Sequence, residues 1–214
     1  MSIQYKAGEI RTIADLKKRL STVENPVLLL EGRRKVADGD EQMMGDVARQ
    51  LVDALPGVTF RSGNAEGTDT IFAKAVTAIC PERFEYVVPK ESMGRKRRHE
   101  KAYCIPANEL KTAAEEHVVL YTNEASPGNE RLVQAYTGEI QNARLAAKGA
   151  YLVRDTLKVT GAQELGLRPA TAAIFYADPD DPFSGGTGHT IRVCLRQGVP
   201  FVLQDVWGKW AETQ

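Results

Sequence analysis

The chain has 214 residues, enough to bury the core of one large α/β domain. Its 28 Lys and Arg residues balance 28 Asp and Glu residues, and this zero net charge argues against a general polyanion-binding surface. The 3 scattered cysteines exclude a disulfide framework or a paired Cys-x-x-Cys zinc site, and no apolar run approaches the roughly 20 residues of a membrane span. Met1–Glu24 contains no signal-like apolar core, so we predict a cytoplasmic protein without membrane contact.

The first part of the chain predicts a helix, a buried strand and a second helix. Apolar residues recur at helical spacing from Ile10 to Leu20, inside a helical extension predicted over residues 1–24. Val27–Leu30 is too short for a helix and continuous enough for a strand buried on both faces. Asp40 is a predicted N-cap, and one apolar stripe from there to Leu55 predicts the second helix.

A second strand, a glycine-containing loop and a helix follow. The strand is Val58–Arg61, the loop is 62–69, and the helix has its apolar face between Ile71 and Ile79. Phe84–Val88 is the third predicted strand. The basic run Lys90–Lys101 is predicted to be a loop, either a solvated face or a contact surface for substrate or nucleic acid.

The middle of the chain is predicted to be helical. A helix begins at Pro106 and runs through His117, and apolar spacing from Leu132 to Ala143 predicts a longer one. Gly149–Thr160 suits a strand by alternation and a helix by i, i+4 spacing, and we favour the helix.

The last part of the chain repeats the order strand, glycine loop, helix, strand. Ala172–Tyr176 and Phe201–Leu203 are the strands, and residues 207–214 are a short tail. Strands that alternate with helices imply a parallel sheet. We therefore predict one Rossmann-like α/β domain over residues 1–214, with a doubly wound, mostly parallel sheet and helices on both faces.

The loops that follow the strands converge at one edge of such a sheet, where ligands bind. Glycines at the start of a helix expose free backbone N–H groups and the positive end of the helix dipole, which suits an anion such as phosphate. A tight strand-to-helix turn without a ligand is the alternative. The predicted ligand-binding residues are Gly32, Arg33, Arg34, Ser62, Gly63, Asn64, Glu66, Gly67, Asp69, Ser184, Gly185, Gly186, Thr187, Gly188, His189 and Thr190.

Several of these side chains have two interpretations. Arg33 and Arg34 suit a phosphate or a solvated loop, and Asp69 suits a helix cap or a ribose contact. His189, near a helix N-terminus, is best placed for acid–base work or for donating to phosphate as a neutral ring. Glu31 or Glu66 pointing into the crevice would be a catalytic candidate.

A metal site is the weaker interpretation of an acidic turn. Asp178, Asp180 and Asp181 could bind Mg²⁺, but the prolines among them favour a turn, and we predict no metal and no cofactor.

The two glycine loops, Ser62–Asp69 and Ser184–Thr190, together with the closing Gly198–Val202, resemble the SLOG superfamily. This Rossmann-like fold is shared by DprA/Smf proteins, lonely-guy phosphoribohydrolases and YpsA-like proteins. The resemblance implies a nucleotide-type or nucleic-acid ligand at the loops. It also implies possible self-association as a dimer.

The chain departs from the lonely-guy motif Pro-Gly-Gly-x-Gly-Thr-x-x-Glu at three positions. Ser184 stands for the proline, His189 for the threonine and Arg192 for the glutamate. Without that carboxylate, we predict a nucleotide-binding sensor or carrier. A hydrolase of an N-glycosidic or phosphate bond is the alternative, and single-stranded nucleic-acid binding is a weaker one.

Overall fold

The computed structural model describes residues 10–212. Residues 1–9 of the predicted extension and 213–214 of the predicted tail lie outside this range. The strands are β1 (Val27–Gly32), β2 (Thr59–Ser62), β3 (Phe84–Val88), β4 (Tyr103–Pro106), β5 (Ala172–Tyr176) and β6 (Phe201–Leu203). The α-helices are α1 (Ile13–Leu20), α2 (Asp40–Ala54), α3 (Thr68–Thr77), α4 (Thr112–Ala125), α5 (Glu130–Tyr136), α6 (Ala143–Thr160), α7 (Gly185–Gln197) and α8 (Gln204–Trp207).

Within the described residues the strands form one sheet in the order β4-β3-β2-β1-β5-β6, and every neighbouring pair is parallel. The predicted Rossmann-like α/β fold is confirmed. From β1 the chain builds outward to β4 on one side and then crosses back to place β5 on the other. The switch point of the sheet therefore lies between β1 and β5, where their carboxyl ends leave a crevice.

Alternate residues of β1 point to opposite layers of helices. Leu28 and Leu30 join a large core with α1, α2, α3 and α8 on the first face of the sheet. Leu29 packs instead on the second face, with residues of α4, α6 and α7. Glu31 shares the parity of Leu29, so its carboxylate points toward α6 and α7.

Helix α6 is the central element of the second layer. All its residues from Leu152 to Val159 are buried, although Arg154, Asp155 and Lys158 are charged. The predicted helix over Gly149–Thr160 is therefore present, and its polar side chains explain why its sequence pattern was ambiguous.

The edge strand β4 was not predicted. Its four residues end in Pro106, where the sequence predicts the start of a helix. A proline lacks the N–H of a central strand but is tolerated at a sheet edge, where that side of the strand has no neighbour. The helix predicted from Pro106 begins only at Thr112.

The helix predicted from Leu132 to Ala143 is two helices. Helix α5 ends at Tyr136, and Gly138 then adopts a φ of 88°, which no helix continues. Helix α6 begins at Ala143, where the side chain of Asn142 accepts a hydrogen bond from the backbone N–H of Leu145 at 3.0 Å. The predicted N-cap Asp40 is also corrected, because Gly39 is the N-cap and Asp40 is the first helical residue.

The described ends of the chain belong to the core. Leu16 and Leu20 of α1 are buried, and so are Trp207 and Trp210 in the segment predicted to be a tail. The indole N–H of Trp210 donates to the carbonyl of Arg11 at 2.8 Å and joins the two ends. In residues 10–212, no helix has the length and apolar character needed to cross a membrane.

A buried arginine connects the sheet to the C-terminal end of α6. Arg61 of β2 is fully buried and forms an ion pair with Glu85 of β3 at 2.7 Å. The same guanidinium donates to the carbonyls of Lys158 at 2.8 Å and Arg168 at 2.7 Å. It therefore satisfies the carbonyl of Lys158, in the last turn of α6, which no helical N–H can reach, and the carbonyl of Arg168 in the loop before β5.

We expect Arg61→Met to lower the free energy of unfolding by about 3 kcal/mol, because it leaves Glu85 and two carbonyls without their donor. Urea unfolding measures this loss. The matched control is Arg49→Met, which removes an exposed ion pair with Asp46 and should cost far less, because solvent screens that pair. Equal losses in the two variants would contradict the role given to Arg61.

Candidate functional site

A cleft of about 680 Å³ opens at the switch point between β1 and β5. Its walls come from the loop after β1, the loop before α3, the loop after β5 with the first turn of α7, and one side of α5 and α6. Eight predicted ligand-binding residues line it: Gly32, Arg33, Arg34, Asp69, Ser184, Gly185, Gly186 and Thr187.

The first turn of α7 presents backbone donors to the cleft. Ser184 occupies the N-cap position, but its side chain makes no capping hydrogen bond. The hydroxyl of Ser184 donates instead to the carbonyl of Asp181 at 2.8 Å. The N–H groups of Gly185, Gly186 and Thr187 precede the first intrahelical hydrogen bond, made by the N–H of Gly188, and are free to bind an anion.

Gly186 leaves space in front of these donors. A Cβ atom at Gly186 would meet only Asp155, with Oδ2 at 3.4 Å, and a Cβ at Gly185 would meet nothing within 4 Å. Gly188 is different, because a Cβ there would collide with the backbone of Phe183. The part of the predicted glycine loop that faces the open cleft is therefore Gly185–Thr187.

Arg154 of α6 is a donor that the sequence did not reveal. The residue is 4% exposed, and its Nε and Nη1 atoms are buried without a hydrogen-bond partner. Its guanidinium occupies the space where a Cβ at Gly63 would lie, and it lies 5.4 Å from the centre of the Tyr151 ring. Gly63, a predicted ligand-binding residue, thus leaves room for the guanidinium of Arg154 because it has no side chain.

The floor of the cleft is a buried charged cluster, formed by Glu31, Asp69, Arg154, Asp155 and Lys158. The ammonium of Lys158 lies 2.5 Å from Glu31 Oε2 and 2.7 Å from Asp155 Oδ1. Arg154 Nε lies 3.3 Å from the same Asp155 oxygen. These contacts join α6 to the end of β1.

The protonation of this cluster is set by burial and by neighbouring charges. Burial raises the pKa of Glu31 to about 7, although Lys158 opposes the shift. Burial also disfavours the charged form of Asp155, but Arg154 and Lys158 together hold the pKa of Asp155 below its ordinary value. Glu31 is therefore the carboxylate that gains a proton near neutral pH.

Cationic side chains form the rim of the cleft. Arg33 Nη1 pairs with Asp178 Oδ2 at 3.2 Å, and both side chains are about one third exposed. Arg34 and Lys148 are exposed cations on the same rim. Asp178 thus partners Arg33, and residues 10–212 contain no group of three or more His, Cys, Asp or Glu side chains that could hold a metal ion.

The other glycine loop, residues 62–69, lines the cleft only in part, and its Asn64 and Glu66 hold the basic run instead. Asn64 adopts a φ of 58°, and its side-chain amide donates to the carbonyl of Gly94 at 3.1 Å. Arg97 pairs with Glu66 at 3.2 Å and donates to the carbonyl of Asn64. Asn64 and Glu66 therefore position Lys90–Lys101, and neither lines the cleft.

Asp69 organises the loop between β2 and α3. Its carboxylate accepts from the N–H of Ala65 at 3.0 Å and from the N–H of Gly32 at 3.4 Å, while Gly67 is the N-cap of α3. Asp69 therefore holds two loops together and still lines the cleft. Ser62 is fully buried and Gly67 packs against the backbone of Arg34, so neither faces the cleft.

His189 and Thr190 are buried behind the cleft, which corrects their predicted roles. The imidazole of His189 is bonded to the hydroxyls of Ser126 at 2.8 Å and Thr156 at 2.9 Å. Burial lowers the pKa of His189 to about 4, so the ring is neutral at pH 7 as predicted, but it cannot reach a ligand. Thr190 donates its hydroxyl to Glu31 at 2.9 Å and orients that carboxylate.

Arg192, at the position of the lonely-guy glutamate, is a structural residue. Its guanidinium donates to the carbonyls of Ala125 at 2.7 Å and Phe183 at 2.6 Å, and to the hydroxyl of Ser126 at 2.7 Å. It ties α7 to the end of α4 at the margin of the cleft.

We expect His189→Gln to remove a pH dependence of stability. The folded-state pKa of about 4 lies below the ordinary 6.5, so the unfolded chain binds more protons in this window and stability is lost as pH falls through it. The stability difference between wild type and variant should shrink by roughly 2 kcal/mol from pH 8 to pH 5. Urea unfolding at both pH values tests this, and an unchanged difference contradicts it.

Comparison with models of protein families, with curated proteins and with solved structures gives no match to the chain. The geometry of the cleft therefore carries the functional argument.

Proposed function

We propose that the protein binds a nucleotide or a nucleotide-derived phosphorylated ligand in the cleft between β1 and β5, as a sensor or carrier module. The observation that carries the proposal is that two sets of N–H groups that make no hydrogen bond lie together at the cleft. The first turn of α7 offers free N–H groups, and Arg154 offers buried guanidinium N–H groups that make no hydrogen bond, although its Nε lies 3.3 Å from Asp155 Oδ1.

Unsatisfied buried donors are costly, so their presence in a cleft points to an acceptor that binds there. Arg154 is preorganised, since the space at Gly63 and the ring of Tyr151 fix its guanidinium. A phosphate group supplies several acceptor oxygens, and a guanidinium matches their spacing. The backbone N–H groups of α7 are also fixed, so binding orders few additional groups.

The size and rim of the cleft suit a ligand larger than phosphate. A volume of about 680 Å³ lies within the range of small-molecule sites, roughly 300–1,000 Å³. Arg33, Arg34 and Lys148 add positive charge at the entrance, where it attracts an anion. The resemblance to the SLOG superfamily agrees with a nucleotide, and the ligand's identity and a dimeric state remain predictions.

Single-stranded nucleic-acid binding through the basic run has less support. Arg97 is engaged with Glu66 and Asn64, and Arg98 contacts Cys104 and the carbonyl of Glu91. These contacts hold two cations of the basic run, Arg97 and Arg98, against the protein's own surface.

Hydrolysis of an N-glycosidic or phosphate bond is the second candidate function. Glu31 favours it, because a carboxyl group in a cleft with a pKa of about 7 can act as a general acid near neutral pH. Against it, Glu31 is held by Lys158 and Thr190, and Arg192 replaces the carboxylate of the lonely-guy motif.

We expect AMP, GMP, CMP and UMP to remain intact after prolonged incubation with the protein at pH 7. The carboxylates of residues 10–212 that line the cleft, Glu31, Asp69, Asp155 and Asp178, are all engaged in hydrogen bonds or ion pairs with the protein. Chromatography of the reaction mixture measures release of base or phosphate. Turnover that disappears in Glu31→Gln would replace the binding proposal with the hydrolase.

We expect Gly186→Val to lower the affinity for these four nucleotides by at least about 30-fold, because the branched side chain fills the space before the α7 donors. Gly186 does not need a positive φ, so the fold should persist. Calorimetric titration measures the affinities, and mass spectrometry of ligand carried through purification identifies a natural occupant.

Gly57→Val is the matched control, since Gly57 lies before β2, away from the cleft, and a Cβ there meets nothing within 4 Å. This variant should bind as wild type does. If Gly186→Val also binds normally while folded, the ligand does not lie at the start of α7.

A further inference from the structure

The charged cluster on the floor of the cleft contains more acidic than basic side chains. It contains three carboxylates, Glu31, Asp69 and Asp155, and two cations, Arg154 and Lys158. With every group ionised, the cluster carries one excess negative charge in a buried region. An anionic ligand at Arg154 and α7 would add further negative charge close to it.

Asp155 is the carboxylate of the cluster best stabilised as an anion. It lies beside Lys158 and Arg154 and near the positive end of α7. Asp69 is engaged elsewhere, because its carboxylate accepts the backbone N–H groups of Ala65 and Gly32.

The charged form of Glu31 is stabilised by fewer contacts. It receives one hydroxyl bond from Thr190 and shares the single ammonium of Lys158 with Asp155. The other titratable groups around it are the buried thiol of Cys194 on α7 and His189 beside Asp155. Both are neutral near pH 7, because burial raises the pKa of the thiol and lowers the pKa of the imidazole.

We infer that Glu31 takes up a proton when an anionic ligand enters the cleft, so that ligand binding and protonation are coupled. The inference rests on the proposed anion site. Protonation removes the excess negative charge from the floor and lets Lys158 remain paired with Asp155. The affinity for anions is therefore high below neutral pH and falls as pH rises through the titration of Glu31.

Sulfate is the probe that tests this coupling, because it imitates a phosphate dianion but does not titrate near neutral pH. Any proton taken up then comes to the protein. Sulfate affinity is measured by calorimetry from pH 6 to pH 8.5 at constant ionic strength, in two amine buffers of different ionisation enthalpy.

For wild type we expect the affinity to fall by roughly tenfold over this range, and the binding heat to differ between buffers near pH 7, which reports proton uptake. Glu31→Gln, an uncharged side chain of the same shape, should flatten this pH dependence and bind sulfate more tightly than wild type at pH 8.5. Lys158 keeps Asp155 as its partner in this variant.

Glu66→Gln is the matched control, since Glu66 is exposed, pairs with Arg97 and lies outside the cleft. It should keep the wild-type pH dependence. The buffer comparison on wild type alone decides the matter if Glu31→Gln does not fold.

The possible results separate this inference from the proposed function. Sulfate binding without proton uptake, or with equal pH dependence in wild type and Glu31→Gln, overturns the coupling and leaves the anion site standing. Absence of sulfate binding at every pH overturns both.

Discussion

The ammonium of Lys158 is the group on which the second face of the sheet depends. It is fully buried and lies between Glu31 of β1 and Asp155 of its own helix. An ammonium without these carboxylates would be too costly to bury, so α6 can cross the sheet centre only with both of them in place. The position of α6 in turn fixes Arg154 at the cleft.

The two faces of the sheet are held by different interactions. The first face is an apolar core in which α1, α2, α3 and the two tryptophans supply most of the burial. The second face carries Glu31, Arg61 and Glu85 beneath α6, each satisfied by a named partner. Buried polar networks of this kind add less to stability than apolar packing, but they hold charged groups in one geometry. That geometry is what a ligand site needs.

Sequence periodicity could predict the sheet because Val27–Leu30 of β1 and Ala172–Tyr176 of β5, at its centre, are apolar on both faces. Three of the five predicted strands have the observed bounds, and β1 and β2 differ only at their ends. The periodicity was ambiguous in α6, where charged side chains are buried. Arg154, Asp155 and Lys158 resemble the exposed face of an amphipathic helix, yet all three are buried. Nothing local in the sequence shows that Lys158 pairs with Glu31 of β1, more than 120 residues earlier.

In the glycine loops, too, the sequence predicted the secondary structure but not the surroundings of each residue. Glycine spacing indicated where helices begin, but it could not distinguish a glycine that faces a ligand from one that admits a neighbouring group. Gly63 and Gly188 are of the second kind, and Gly185 and Gly186 face open space. The sequence predicts a ligand contact for His189 and Thr190 because they follow those glycines, but one turn of helix places both side chains behind the cleft wall.

That turn of helix explains how a buried layer can respond to a ligand. The donors of α7 face the cleft at Gly185–Thr187, and Thr190 of the same helix bonds to Glu31. An anion held at the first turn therefore lies one helical turn from a hydroxyl that orients Glu31, and Asp155 lies close to Gly186. Because Lys158 is shared by Glu31 and Asp155, a change in the charge of one carboxylate alters the environment of the other. An anionic ligand bound as proposed would therefore form one electrostatic unit with α7 and the buried ion pairs, and its charge would act on Glu31 and Asp155 at the centre of the sheet.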